Sequence, residues 1–153
     1  MAKIEHRVGV HAPPDTIWGL IYDVPGWAAW NPLYPRAEGA VHIGSQLTLT
    51  QALPGRAQQT IRPTVLEWVP NEQLHWRASH WGGLATSVRY VEIEKLAEES
   101  CIVSTGEIFS GLLGDWVAGQ SGRTLHRGFR QMNEALKSRA EELWREQSAA
   151  TTS

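Results

Sequence analysis

Residues 123–147, RTLHRGFRQMNEALKSRAEELWREQ, decide the fold. Leu125, Phe129, Met132, Leu136, Ala140 and Leu143 recur at steps of four, three, four, four and three, one continuous apolar stripe along a helix. Arg130 with Glu134, Lys137 with Glu141 and Glu141 with Arg145 stand one helical turn apart and predict a charged, solvated outer side. All eight prolines lie at or before Pro70, so nothing after it breaks the helix except glycine. Gly111 and Gly114 mark the turn that feeds it. A stripe of this length must be covered by a broad apolar surface, which the preceding residues have to supply.

Working outward, the middle of the chain supplies strands. Gln46 to Thr50 alternates polar and apolar residues and stops at Pro54-Gly55. Gln58 to Trp68 and Leu74 to Trp81 are separated by the turn residues 69–72, and Gly82-Gly83 closes the second of them. Ala85 to Leu96 and Cys101 to Ser110 flank a short acidic turn, the spacing of an antiparallel hairpin. Near the start, Ile4, His6, Val8 and Val10 alternate with Glu5, Arg7, Gly9 and His11 as a first strand. Pro13, Pro14 and Asp15 then open a short helix with Ile17, Trp18, Leu20 and Ile21 on its apolar side, ended by Pro25-Gly26. Trp27 to Pro35 is too interrupted for a long element and too aromatic for a bare loop, and is read as a capping segment. The expectation is one α+β domain over residues 1–147, with the small polar tail 148–153 frayed.

Composition narrows the function. The formal charge is -2, so no global basic field attracts nucleic acid or an anionic membrane. The single cysteine, Cys101, excludes an intramolecular disulfide and a cysteine-built zinc site. No apolar run approaches the roughly 20 residues that span a bilayer, and residues 1–11 show no signal-peptide core. A cytoplasmic protein without stable membrane association is expected, and a homodimer is left open. His75 with His80 and His6 with His11 stand five apart on strands and point to opposite faces, so no metal is expected. No glycine-rich phosphate loop occurs, and no cofactor is expected.

The segment Ala12-Pro13-Pro14-Asp15-Thr16-Ile17-Trp18, followed by Asp23, Trp27, Trp30, Asn31 and Pro32, resembles the opening of polyketide cyclase/dehydrase-like proteins of the START-like (SRPBCC) superfamily. Pro63 to Glu67 with Pro70, Leu74 and Trp76 is similar to the family's middle pattern. So are Glu107, Phe109, Ser110, Gly111 and Leu112 to its later one, and Phe129, Met132, Asn133, Ala135, Leu136 and Lys137 to its ending. The resemblance covers nearly the whole chain. It implies a helix-grip fold, a curved antiparallel sheet wrapped around the long last helix with an internal cavity. It also implies a histidine near position 89, where this chain has Arg89.

Strand parity proposes what faces that cavity. Leu74 and Trp76 put Ala78 and His80 on their side, and Cys101, Val103 and Phe109 carry Thr105 and Glu107 inward. Gln59 shares a face with Ile61, Pro63 and Val65, whereas the strand of Arg89 is balanced and only the resemblance turns Arg89 inward. A buried Glu107 needs a cation, Arg89 or His80. A structural ion pair, a ligand anchor and an acid or base are all open for it. Trp30, Trp76 and Trp116, with Tyr34 of the capping segment, are expected around a mostly apolar pocket. The candidate site is therefore Trp30, Tyr34, Gln59, Trp76, His80, Arg89, Glu107, Phe109 and Trp116, with no catalytic residue assigned. The leading expectation is binding of a hydrophobic small molecule that is aromatic, acyl or lipid-like. The alternatives are a cyclase or dehydratase using His80, Arg89 or Glu107, and a protein-interaction module similar to chaperone activators.

Overall fold

The computed structural model describes residues 2–80 and 84–152, apart from the side chains of Ser79, His80, Thr151 and Thr152. The first strand, β1 (Ala2–Val10), leads into helix α1 (Pro14–Tyr22), whose proline start and Asp15 in the first turn follow the expected opening. A 3₁₀ turn, Val24–Ala29, is tied by the Asp23 carboxylate accepting from Gly26 N–H. Then come β2 (Arg36–Glu38), β3 (Thr48–Gln51), β4 (Gln59–Ile61), β5 (Thr64–Val69), β6 (Gln73–His80), β7 (Ala85–Ala97), β8 (Ser100–Ser110) and helix α2 (Gly114–Thr152). Helix α2 includes residues 148–152, where Ala149 and Ala150 are strong helix formers.

Five strands form an antiparallel sheet in the order β1-β8-β7-β6-β5, and three more form β2-β3-β4. The two are parts of one surface. Leu49 pairs with Ile61 and Gln51 with Gln59, and Gln46 bridges Thr64 in the same register, so β4 and β5 are one long strand against β3. Pro63 interrupts it: its carbonyl accepts from Leu47 N–H, but it has no N–H to return, and the ladder lapses between Ile61 and Thr64. Pairing of this strand with β6 also stops there, at Thr64 opposite Arg77, while β6 continues to His80. Beyond that point the sheet is split between β4 and β6.

The α2 stripe covers the concave face. Leu125, Phe129, Met132, Leu136 and Ala140 are buried in one core with Val65, Leu74, Trp76, Val91, Val103 and Phe109. Docking is made specific along the edge strand β1. Asn133 Nδ2 donates to the His6 carbonyl at 3.0 Å, Lys137 Nζ to the Gly9 carbonyl at 2.8 Å, and the Glu141 carboxylate accepts from His11 N–H at 2.9 Å. Three side chains four residues apart thus occupy backbone groups beside a strand with no sheet neighbour on that flank. Lys137 and Glu141, read from the sequence as an outer ion pair, are paired at 2.8 Å but spend that pair on β1. Thr105 Oγ1 donates to Asn133 Oδ1 at 2.6 Å, which ties α2 to β8 as well.

Candidate functional site

Parity and register place a row of side chains across the concave face. Val65, Trp76, Arg89 and Glu107 stand opposite one another on β5, β6, β7 and β8, with Ile4 of β1 at the end. Arg89 and Glu107 are 7% and 2% exposed, so each charge needs a partner in place of water. Arg89 Nη2 donates to Glu107 Oε1 at 2.7 Å, and Nη1 donates to Tyr34 Oη at 2.6 Å and to Gln51 Oε1. The guanidinium carbon lies 5.4 Å from the centre of the Phe129 ring, so α2 also backs the cluster. Burial alone would pull the Arg89 pKa down, but Glu107 and Tyr34 outweigh it and hold it above its ordinary value. Burial pushes the Tyr34 hydroxyl up, against the opposing pull of Arg89. Arg89 Nε is buried and has no hydrogen-bond partner among the described residues.

A cavity of about 510 Å³ lies over this cluster, where β4 parts from β6. Its lining comes from both faces of the sheet. Gln46, Thr60, Arg62, Thr64 and Arg77 share the convex parity and surround the outer mouth, while Gln59, Ile61, Trp76 and Ala78 share the concave parity and form the throat. Gln51, Arg89 and Glu107 make the floor. The cavity is thus a passage through the sheet, and most of its walls are polar.

Four of the nine residues singled out from the sequence, Gln59, Trp76, Arg89 and Glu107, line this passage. His80 ends β6 beside it, but its side chain lies outside the described residues. The remaining four do not line the passage. Tyr34 is fully buried and holds Arg89 from behind, packed on Trp27 and Trp76. Phe109 is in the core, and Trp30 packs half-buried against it. Trp116 is 53% exposed, because it stands two residues, some 200° of helical turn, from Ala118 at the head of the buried stripe. The expected meeting place of capping segment, sheet and last helix is filled by Trp27, Leu33, Tyr34, Phe129 and Met132. The expectation of a mostly apolar pocket is corrected by the same rearrangement: the apolar rings fill the core, and the opening is left to polar side chains. Cys101 is buried with its thiol toward the Ala12 carbonyl, and burial raises its pKa.

Residues 1–141 match the model of the family described as polyketide cyclase / dehydrase and lipid transport. The chain belongs to that family. Solved structures agree on the fold. A START superfamily protein from Mycobacterium smegmatis superposes with a TM-score of 0.69 at 22% identity, covering 92% of this chain and 98% of its own. The Zhui aromatase/cyclase from Streptomyces sp. R1128 gives 0.73 at 18% identity, covering 92% and 93%. The di-domain aromatase/cyclase BexL gives 0.70 at 12%, with 89% of this chain matched to 46% of that one. No curated protein matches the chain. The sheet packed on a long C-terminal helix is the START-like helix-grip architecture, and no helix among the described residues is long and apolar enough to cross a membrane. This family member departs from a plain apolar vessel in one respect: its opening is a polar split in the sheet.

The lining residues not singled out from the sequence were Gln46, Gln51, Thr60, Arg62, Thr64 and Arg77. Alternation with Leu47 and Leu49 signalled Gln51; for the other five the signal was Pro63, a residue that cannot donate to the ladder in the middle of a strand.

Proposed function

We propose that this protein binds a small molecule that joins a ring-sized apolar part to several oxygen or nitrogen groups, and holds it in the passage between β4 and β6 without reacting with it. Family membership supports a hydrophobic ligand, and Ile61, Trp76 and Ala78 offer it an apolar throat. The polar mouth and floor require that the ligand also make hydrogen bonds, since amides and hydroxyls covered by a purely apolar body would lose water without compensation. A volume of about 510 Å³ suits a molecule of drug size. The observation that carries the absence of chemistry is the Arg89 cluster. Its guanidinium is held by Glu107, Tyr34 and Gln51 at once, which immobilises the cation and matches the carboxylate's charge. A cyclase or dehydratase reading is favoured by the likeness to Zhui and BexL and would use Glu107 as the acid or base.

Calorimetric titration with 2-naphthol, a neutral ring with one hydroxyl, tests the binding site. Ala78→Leu places a larger side chain in the throat and should weaken binding at least about tenfold, by overfilling the space the ring needs. Equal affinity in wild type and Ala78→Leu, with both proteins folded, would remove the passage as the ligand site.

A further inference from the structure

We infer that the ligand carries a negative charge, a carboxylate or a phosphate ester, bound at the outer mouth by Arg62 and Arg77; this rests on the binding function proposed above. Four charged side chains line the passage: Arg62, Arg77, Arg89 and Glu107. Arg89 and Glu107 neutralise each other at 2.7 Å on the floor. Arg62 and Arg77 are both exposed, and neither has a carboxylate partner among the described residues. The mouth therefore holds two uncompensated positive charges in a chain whose formal charge is -2. That surplus runs against the sign of the whole molecule.

Placement matches the charge. Arg77 stands directly opposite Thr64, and Arg62 is two residues before Thr64, so all three share the convex parity of the sheet. Thr60 and Gln46 on the same side add a hydroxyl and an amide. Guanidinium forks bind planar or tetrahedral oxyanions through paired N–H donors. The apolar part then points inward to Trp76, above the Arg89–Glu107 pair of the floor. An acid group at the mouth and a ring in the throat is the order of chemistry along the passage.

The test is calorimetric titration of the full chain at about 50 mM salt with three probes of one shape: 2-naphthoate, 2-naphthyl phosphate and the neutral 2-naphthamide. At least one anion should bind about tenfold or more tighter than the amide, and the tighter of the two identifies the acid group. Arg62→Gln and Arg77→Gln should each remove about tenfold of the anion's affinity and leave the amide's within about twofold. Arg123→Gln, the same charge change on α2 away from the passage, should alter neither. Amide binding as tight as both anions, or anion binding unaffected by both mouth variants, overturns the charge and leaves the binding function standing. Failure of all three probes to bind overturns both.

Discussion

Glu107→Gln strikes at the floor of the passage. The substitution keeps the size of the side chain and an oxygen that can accept from Arg89 Nη2, but removes the charge that sits 2.7 Å from the guanidinium. Arg89 does not escape by losing its proton, because a guanidinium stays charged in proteins. A buried cation then faces only Gln51 and Tyr34 as neutral acceptors. Removing one partner of a buried pair costs about 3–5 kcal/mol, and the retained hydrogen bond lowers the expectation here to roughly 2–4 kcal/mol. At ~2–4 °C per kcal/mol for a chain of this size, the melting temperature should fall by roughly 4–16 °C. Urea unfolding followed by tryptophan fluorescence gives the free energy directly, and the paired variant Arg89→Met with Glu107→Leu should recover most of the loss, since apolar replacement of a buried pair is often neutral or better. A loss below about 1 kcal/mol with an unchanged urea slope would refute the claim that Glu107 is the desolvated counter-ion. The same variant separates binder from enzyme. If Glu107 were the acid or base of a reaction, turnover would fall roughly 10²–10⁴-fold, whereas a counter-ion leaves 2-naphthol affinity near its wild-type value once folding is accounted for.

Phe129→Ala should cost about 3–5 kcal/mol, because the fully buried ring joins the α2 stripe to the sheet and lies against Arg89; an unchanged melting temperature would displace α2 from the concave face. His6 supplies a pH test. Burial and the neighbouring His126 lower its pKa in the folded protein, so the unfolded chain takes up its proton first as pH falls. The stability contributed by neutral His6 is thus complete above its unfolded value of about 6.5 and is lost as pH drops through the lowered folded value. His6→Gln should shrink the fall in melting temperature between pH 7.5 and 5, and an equal fall in both proteins would contradict the sign.

Period and parity were enough for the large elements because each rests on burial. The strands from Leu74 onward and the α2 stripe carry alternating or helical apolar sets that a single face of the sheet satisfies, and Leu74, Trp76, Cys101, Val103 and Phe109 lie on the buried face as parity required. Arg89 was ambiguous from its own strand, since Tyr90 on the opposite face is also buried. Gly106 resolves that face by leaving room for the Tyr90 ring, whose hydroxyl reaches Glu5. The mouth was illegible for another reason. Parity assigns a side chain to the inside or the outside of an intact sheet, whereas the passage crosses the sheet and draws from both. Arg62 and Arg77 look like ordinary solvated charges until the strand is seen to divide at Pro63. Trp30 in the capping segment and Trp116 at the approach to the last helix are placed by their position in the chain, without a periodicity to fix where they point.

The clasp of Asn133, Lys137 and Glu141 on β1 bears on how the molecule is born. On the ribosome, β1 emerges about a hundred residues ahead of its sheet partner β8, and the helix that clasps its open flank follows β8. A nascent chain can assemble the β5–β7 meander, but β1 stays unclaimed until β8 and then α2 have emerged. Closing a loop of that length is slow compared with forming a hairpin, so β1 is the segment most exposed to wrong pairing during synthesis. Lys3, Glu5 and Arg7, spaced along that strand, give it charge during the wait.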